Sequence, residues 1–181
     1  PAAPRLQGRV PMVTGQAAEQ PATAQPYALA IHPTDGSVWV SNNLSYDVRV
    51  FEPAALAAGA RGPQRVVRLG GVAMFAAFST DGATLFVPQQ RGPQVPERLS
   101  AIDVKSGAVV QDLDVDPGAC TAPHVVTRLP DDSGLVLICE GDHQKKAGTA
   151  LYLQAAPLRV RGSAPLGLFA DGVAYLPGSG G

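Results

Sequence analysis

Apolar side chains along this chain fall in short runs separated by turn-forming residues, and three stretches repeat one order of events. An apolar run is followed by an Asp/Gly turn, then by a second run rich in β-branched and aromatic residues. The first copy is residues 27–31, then Pro33-Thr34-Asp35-Gly36, then Val38-Trp39-Val40. The second is residues 72–78, then Ser79-Thr80-Asp81-Gly82, then Thr84-Leu85-Phe86-Val87. The third is Val125-Val126-Thr127, then residues 130–134, then Leu135-Val136-Leu137-Ile138. Glycine suits the positive φ of such turns, and aspartate accepts hydrogen bonds from the local backbone, so each copy reads as a β-hairpin.

Two more strand-like runs follow each hairpin: 48–51 and 65–69, 99–104 and 109–115, 149–153 and 158–160. The turn glycines fall at 36, 82 and 134. Four strands in roughly 40–50 residues is the period of a propeller blade and not of a helical repeat. The Ala-rich stretch 53–59 has no convincing cap and reads as a loop insertion. The predicted fold is therefore all-β, a β-propeller of four-stranded antiparallel blades. Its parts are an N-terminal segment 1–25 with a candidate ring-closing strand, blades at 26–71, 72–123 and 124–171, and the first strand of a further blade at 172–181. Three blades fall below the usual four to eight of a closed ring. The expectation is an open arc with loose strands around residues 10–13 and 173–176, completed by blades from a longer protein, a separate chain or another copy.

The run Phe78-Ser79-Thr80-Asp81-Gly82-Ala83-Thr84-Leu85-Phe86-Val87, followed by Ala101-Ile102-Asp103-Val104-Lys105-Ser106-Gly107-Ala108, resembles the repeat of the YVTN family of bacterial β-propellers. Trp39-Val40-Ser41-Asn42 is the nearest counterpart of the family's naming tetrapeptide, and the third unit departs from it at Ile138-Cys139-Glu140. The resemblance covers about residues 26–177. It implies the fold and little about activity, since such propellers serve as surface proteins, binding modules and domains of redox enzymes.

Composition removes several classes. The formal charge is −1 with acids and bases interspersed, which lacks the electrostatic footprint of nucleic-acid binding. No stretch approaches the ~20 consecutive apolar residues of a transmembrane helix. The start Pro1-Ala2-Ala3-Pro4 reads as a chain whose leader has been removed or trimmed, and abundant Ala with Arg favoured over Lys suggests a GC-rich bacterial genome. An extracytoplasmic location (periplasmic, cell-surface or secreted) is expected.

Candidate chemistry is sparse. Cys120 and Cys139 fall toward one end of the third hairpin, so a disulfide fits an exported protein, with two free thiols as the alternative. Glu140-Gly141-Asp142-His143 is the one polar loop that suggests a ligand. It supplies at most two donors at once, and Lys145 and Lys146 follow it, so no metal is expected there. His32 and His124 sit at opposite ends of equivalent innermost strands and are expected to hydrogen-bond backbone. No nucleophile elbow, metalloprotease, phosphate-loop, dinucleotide or haem-attachment motif occurs, so no catalytic residue or cofactor is assigned. The function expected is a non-enzymatic binding or scaffold module acting through blade-face or axial-mouth loops. The alternative is the propeller domain of a periplasmic redox enzyme whose haem or quinone lies elsewhere.

Overall fold

The structure is a computed structural model that describes residues 8–10, 12, 24–92, 94–130 and 132–174. Blade 1 consists of β1 (Pro26–Ile31), β2 (Val38–Asn42), β3 (Asp47–Phe51), a short α1 (Pro53–Ala57) and β4 (Arg65–Arg68). Blade 2 has β5 (Val72–Ala73), β6 (Ala77–Phe78), β7 (Thr84–Gln90), β8 (Glu97–Asp103) and β9 (Val109–Val115). Blade 3 has β10 (Pro123–Arg128), β11 (Leu135–Cys139), β12 (Thr149–Ala155) and β13 (Leu158–Pro165). Each blade is a four-stranded antiparallel sheet in chain order, with β5 and β6 as two pieces of one innermost strand along β7. The three sheets are not closed into a ring.

Period-2 alternation sandwiches the middle blade. On β7, Leu85 and Val87 pack into a cluster with Trp39, Val48 and Val50 of blade 1. Phe86, between them, points to the other face and packs with Leu135, Leu137 and Leu151 of blade 3. All three β7 residues are buried, which is why that strand reads as an unbroken apolar run. Each such side chain contributes roughly 1.5–3 kcal/mol relative to exposure, so neighbouring blades hold each other. The outward face of blade 1 keeps Leu29 and Ile31 more than half exposed.

The hairpin turns follow the expected chemistry in blades 1 and 2. Asp35 Oδ1 accepts from the Ser37 amide at 2.7 Å, and Asp81 Oδ1 from the Ala83 amide at 2.9 Å. Gly82 has φ +72°, and a Cβ there would lie 2.5 Å from His32 Nε2. The third turn departs from this pattern. Its left-handed residue is Asp132, with φ +58°, while Gly134 is kept small because a Cβ would meet the Leu153 carbonyl oxygen at 2.3 Å.

Three further expectations need correction. The stretch 53–59, read as a loop, starts with one helical turn, because Pro53 presets φ at its start and alanine carries the highest helix propensity. The run 72–78 is broken, since Phe75 leaves the β7 ladder and bridges to Val125 of β10. Of the expected end strands, Val10, Met12 and residues 173–174 carry no ladder, and the rest of both runs lies outside the described residues.

Up-and-down strand order gives the blades two distinct ends. The turns 32–37, 79–83 and 129–134 and helix α1 lie at one, here the turn end. The starts of β1 and β10 and the loops 91–96 and 140–148 lie at the other, here the loop end.

Candidate functional site at the loop end of the axis

Each innermost strand is irregular at one residue near the loop end. The β1–β2 register slips between Pro26 and Ala28, releasing Tyr27. The β10–β11 register slips between Pro123 and Val125, releasing His124. In blade 2 the break between β5 and β6 leaves Phe75, whose amide donates to the His124 carbonyl at 3.0 Å and whose carbonyl accepts from Val126 at 3.1 Å. Bulges re-aim side chains, and here three irregularities aim three rings at one place. Tyr27 and Phe75 meet edge-on at 5.4 Å, Phe75 and His124 at 5.2 Å, and Tyr27 and His124 lie 5.9 Å apart.

His124 is buried at 3% exposure and Glu140 at 6%. One Glu140 carboxylate oxygen presses on His124 Nδ1, and Asp171 Oδ1 lies 2.6 Å from the same nitrogen. Neither oxygen stands in hydrogen-bonding geometry to it, so this buried nitrogen has two anionic neighbours and, among the described residues, no hydrogen-bond partner. The other ring nitrogen, Nε2, is 3.0 Å from the Tyr27 hydroxyl. Burial, then the charges of Glu140 and Asp171, hold the Tyr27 phenol above its ordinary range. His143 Nε2 sits 2.5 Å from the second Glu140 oxygen, and its ring lies against Phe169 at 4.0 Å.

The backbone that presents these groups is clamped. Cys120 and Cys139 form a disulfide with Cα atoms 5.3 Å apart. Beside it, the Glu140 amide donates to the Ala122 carbonyl at 3.0 Å and the Gly141 amide to Thr121 at 3.1 Å. Buried Glu97 accepts from the amides of Ala122 and Arg91, tying the two neighbouring loops together. On the far side, Gly148 exchanges backbone hydrogen bonds with Leu166 and Gly167, which brings the chain toward Asp171.

Of the polar loop, the structure brings Glu140 and His143 into the site and leaves Asp142 out. Asp142 Oδ1 accepts from the amides of Gln144, Lys145 and Lys146, and these bonds, Gln144 first, hold its carboxyl below the usual aspartate range. Lys146 is drawn away to the Pro117 carbonyl and the Thr121 hydroxyl. The expectation of no metal rested on the loop supplying its donors alone; the fold adds His124 and Asp171 to Glu140, three donor groups within 4.8 Å of one another. His124 also departs from expectation, since its partners are side chains and not backbone. His124, Asp171, Tyr27 and Phe75 were missed as a set. The available signal was positional: 27, 75 and 124 enter the first strand of successive units.

His32, at the turn end, behaves as expected. Its Nε2 donates to the Gly82 carbonyl at 3.0 Å, while Nδ1 accepts from the Asp35 amide and the Thr34 hydroxyl. A groove of about 1000 Å³ opens there between blades 1 and 2. Of the carboxylates on its rim, Asp35, Asp81 and Asp103 are each engaged by turn amides of their own hairpins, and Glu52 is the fourth.

No family model matches the chain and no curated protein matches it. Among solved structures, it is similar to a candidate 6-phosphogluconolactonase from Bacteroides uniformis, with TM-score 0.65 and 16% identity over 92% of this chain and 48% of that one. It is similar to the dihydro-heme d1 dehydrogenase NirN in complex with DHE, with TM-score 0.58 and 14% identity over 77% of this chain and 27% of that one. It is also similar to hydrazine synthase from Kuenenia stuttgartiensis, with TM-score 0.50 and 16% identity over 86% of this chain and 53% of that one. At such identities the likeness is one of fold, and it is to β-propeller-like proteins. The chain spans about a quarter to a half of their lengths.

Proposed function

We propose that this chain is a three-blade part of an exported β-propeller that works as a binding module, and that it binds at the loop end of the axis. The observation that carries this reading is the convergence of Tyr27, Phe75 and His124, one from each blade, on a patch closed by Glu140 and Asp171. The loops 91–96 and 140–148 reach that same end, which favours it over the turn end. The repeats are of the YVTN type on the residues of the Asp81-Gly82 and Ser106-Gly107 turns. The Cys120–Cys139 disulfide supports an extracytoplasmic site of action. Further polypeptide packs on the exposed outer face of blade 1, where Leu29 and Ile31 are otherwise open to water. Binding is favoured over catalysis because, among the described residues, no activated nucleophile stands beside the cluster.

A second reading, the propeller part of a periplasmic redox enzyme, is favoured by the likeness to NirN and hydrazine synthase. Purification of the protein with its native assembly, followed by a visible spectrum and an artificial electron-acceptor assay, separates the two. The binding reading expects a colourless protein that passes no electrons. A stoichiometric haem or quinone chromophore with acceptor reduction would replace it with the redox reading.

A further inference from the structure

The arrangement around His124 is unsatisfactory as an ion pair. An imidazole nitrogen carries at most one hydrogen, yet two carboxylate oxygens crowd His124 Nδ1 and neither takes a hydrogen bond from it. Where Nε2–H donates to the Tyr27 oxygen, Nδ1 presents a bare lone pair toward two anions. Blade 1 shows how this fold neutralises a buried carboxylate at the same end. Asp47, fully buried, is met by Arg49 Nε at 3.1 Å, Arg68 Nη1 at 3.1 Å and the Asn42 amide at 2.9 Å. At the His124 site, among the described residues, the ion pairs of Glu140 and Asp171 come from histidines alone. A buried carboxylate without adequate positive charge is costly, and a cation placed among the three donors removes that cost.

We propose that His124, Glu140 and Asp171 bind a first-row divalent transition cation such as Zn²⁺ or Mn²⁺ at the loop end of the axis. One imidazole nitrogen with two carboxylates is a mixed N/O set, which selects such ions over Ca²⁺, whose ligands are oxygens. Ligand distances of about 2.0–2.2 Å set neighbouring donors roughly 3 Å apart, so entry of the ion spreads the present contacts by a few tenths of an ångström. Exposed Asp171, on the segment after β13, can make that movement, and the Glu140 carboxylate can swing about its own side-chain bonds while its backbone stays clamped beside the disulfide. The surroundings supply the expected support. Tyr27 fixes the second nitrogen of the ligating imidazole, and His143 holds the second oxygen of the ligating carboxylate. Three protein donors leave coordination positions open toward solvent, where a ligand oxygen can complete the shell.

This inference deepens the binding reading above and rests on it. The test strips the full chain with a chelator, then titrates it with Zn²⁺ and separately with Mn²⁺ by calorimetry, with elemental analysis of the dialysed complex. One ion per chain is expected. Asp171→Asn, an exposed and conservative change, should weaken binding by roughly 100-fold, and His143→Ala by about 10- to 100-fold as a supporting residue. Asp142→Asn, confined to the loop turn, should leave affinity unchanged. Circular dichroism of each variant confirms that the sheet is retained. A folded wild-type chain that takes up no stoichiometric ion overturns the proposal, as does an ion whose affinity survives Asp171→Asn or is lost with Asp142→Asn. A metal-free, colourless protein that passes no electrons sinks the cation alone, whereas a haem or quinone chromophore sinks the reading beneath it.

Discussion

His32 and His124 occupy opposite ends of equivalent innermost strands, both are buried, and their surroundings differ in kind. At His32 every hydrogen-bond partner of the ring is a turn group: the Gly82 carbonyl of the neighbouring blade takes the Nε2 hydrogen, and the Asp35 amide and Thr34 hydroxyl of its own turn reach Nδ1. Among the described residues, the one carboxylate in ion-pair reach of it is that of exposed Asp35. At His124 the partners are side chains from blade 1, from the loop after β11 and from the segment after β13, and two of them are anions. The same residue type is thus a structural peg at one end and an unbalanced polar centre at the other. A site that conserved only stability would not gather two carboxylates on one nitrogen, which is the pattern of a region where stability is exchanged for function.

The largest expected disturbance of this contrast comes from the loop end. Replacing Cys120 and Cys139 together by Ala should lower stability by about 3 kcal/mol, since the bridge closes a loop of 19 residues' separation. Urea denaturation of the variant and the wild type gives the difference. The same change should loosen Glu140 from Ala122 and weaken whatever the cluster binds; an unaltered midpoint would show that the clamp is redundant.

A smaller pair of changes sharpens the comparison between the two histidines. His32→Ala should cost roughly 2 kcal/mol, because it leaves the buried Gly82 carbonyl unpaired and removes the ring packed edge-on against Phe78, and it should leave binding at the loop end intact. Glu140→Gln, measured with chelator present, should leave stability unchanged or raise it by up to about 1 kcal/mol, because it removes one of the two charges crowding His124. If both variants lose similar stability, the two ends are built on the same principle and the contrast fails.

The smallest effect is a pH dependence centred on the turns. Hydrogen bonds hold the carboxyls of Asp35, Asp81 and Asp103 below the ordinary range, chiefly from Ser37, from the Ser79 hydroxyl and from the Ser106 hydroxyl respectively. A carboxyl lowered in the folded state contributes stability that is present above its unfolded value of about 3.9 and is lost as pH falls through the folded value. Denaturation midpoints should therefore decline below about pH 4. Asp103→Asn should flatten that decline slightly, and an unchanged slope would remove Asp103 from the account.

Much of the architecture was legible in the residues alone. Alternation along a strand and the Asp/Gly chemistry of a hairpin are local properties, so the repeat, the four strands per blade and the open arc follow from short windows of sequence. Local reasoning also placed Cys120 and Cys139 at one end of one hairpin. It failed where the outcome depended on a contact from elsewhere. Nothing near Phe75 announces that it leaves its own sheet for β10, and Gly134 is small because of the Leu153 carbonyl, not because of its own φ. The site shows the division most clearly. Glu140, Asp142 and His143 are neighbours in sequence and so looked like one group, but a short loop cannot aim alternate side chains the same way. Asp142 turned inward to the loop's own amides, while Glu140 met His143 and His124, and His124 in turn met Tyr27 and Asp171. Only tertiary structure brings those positions together, because blade packing and the bulges at the strand entrances decide where each ring points.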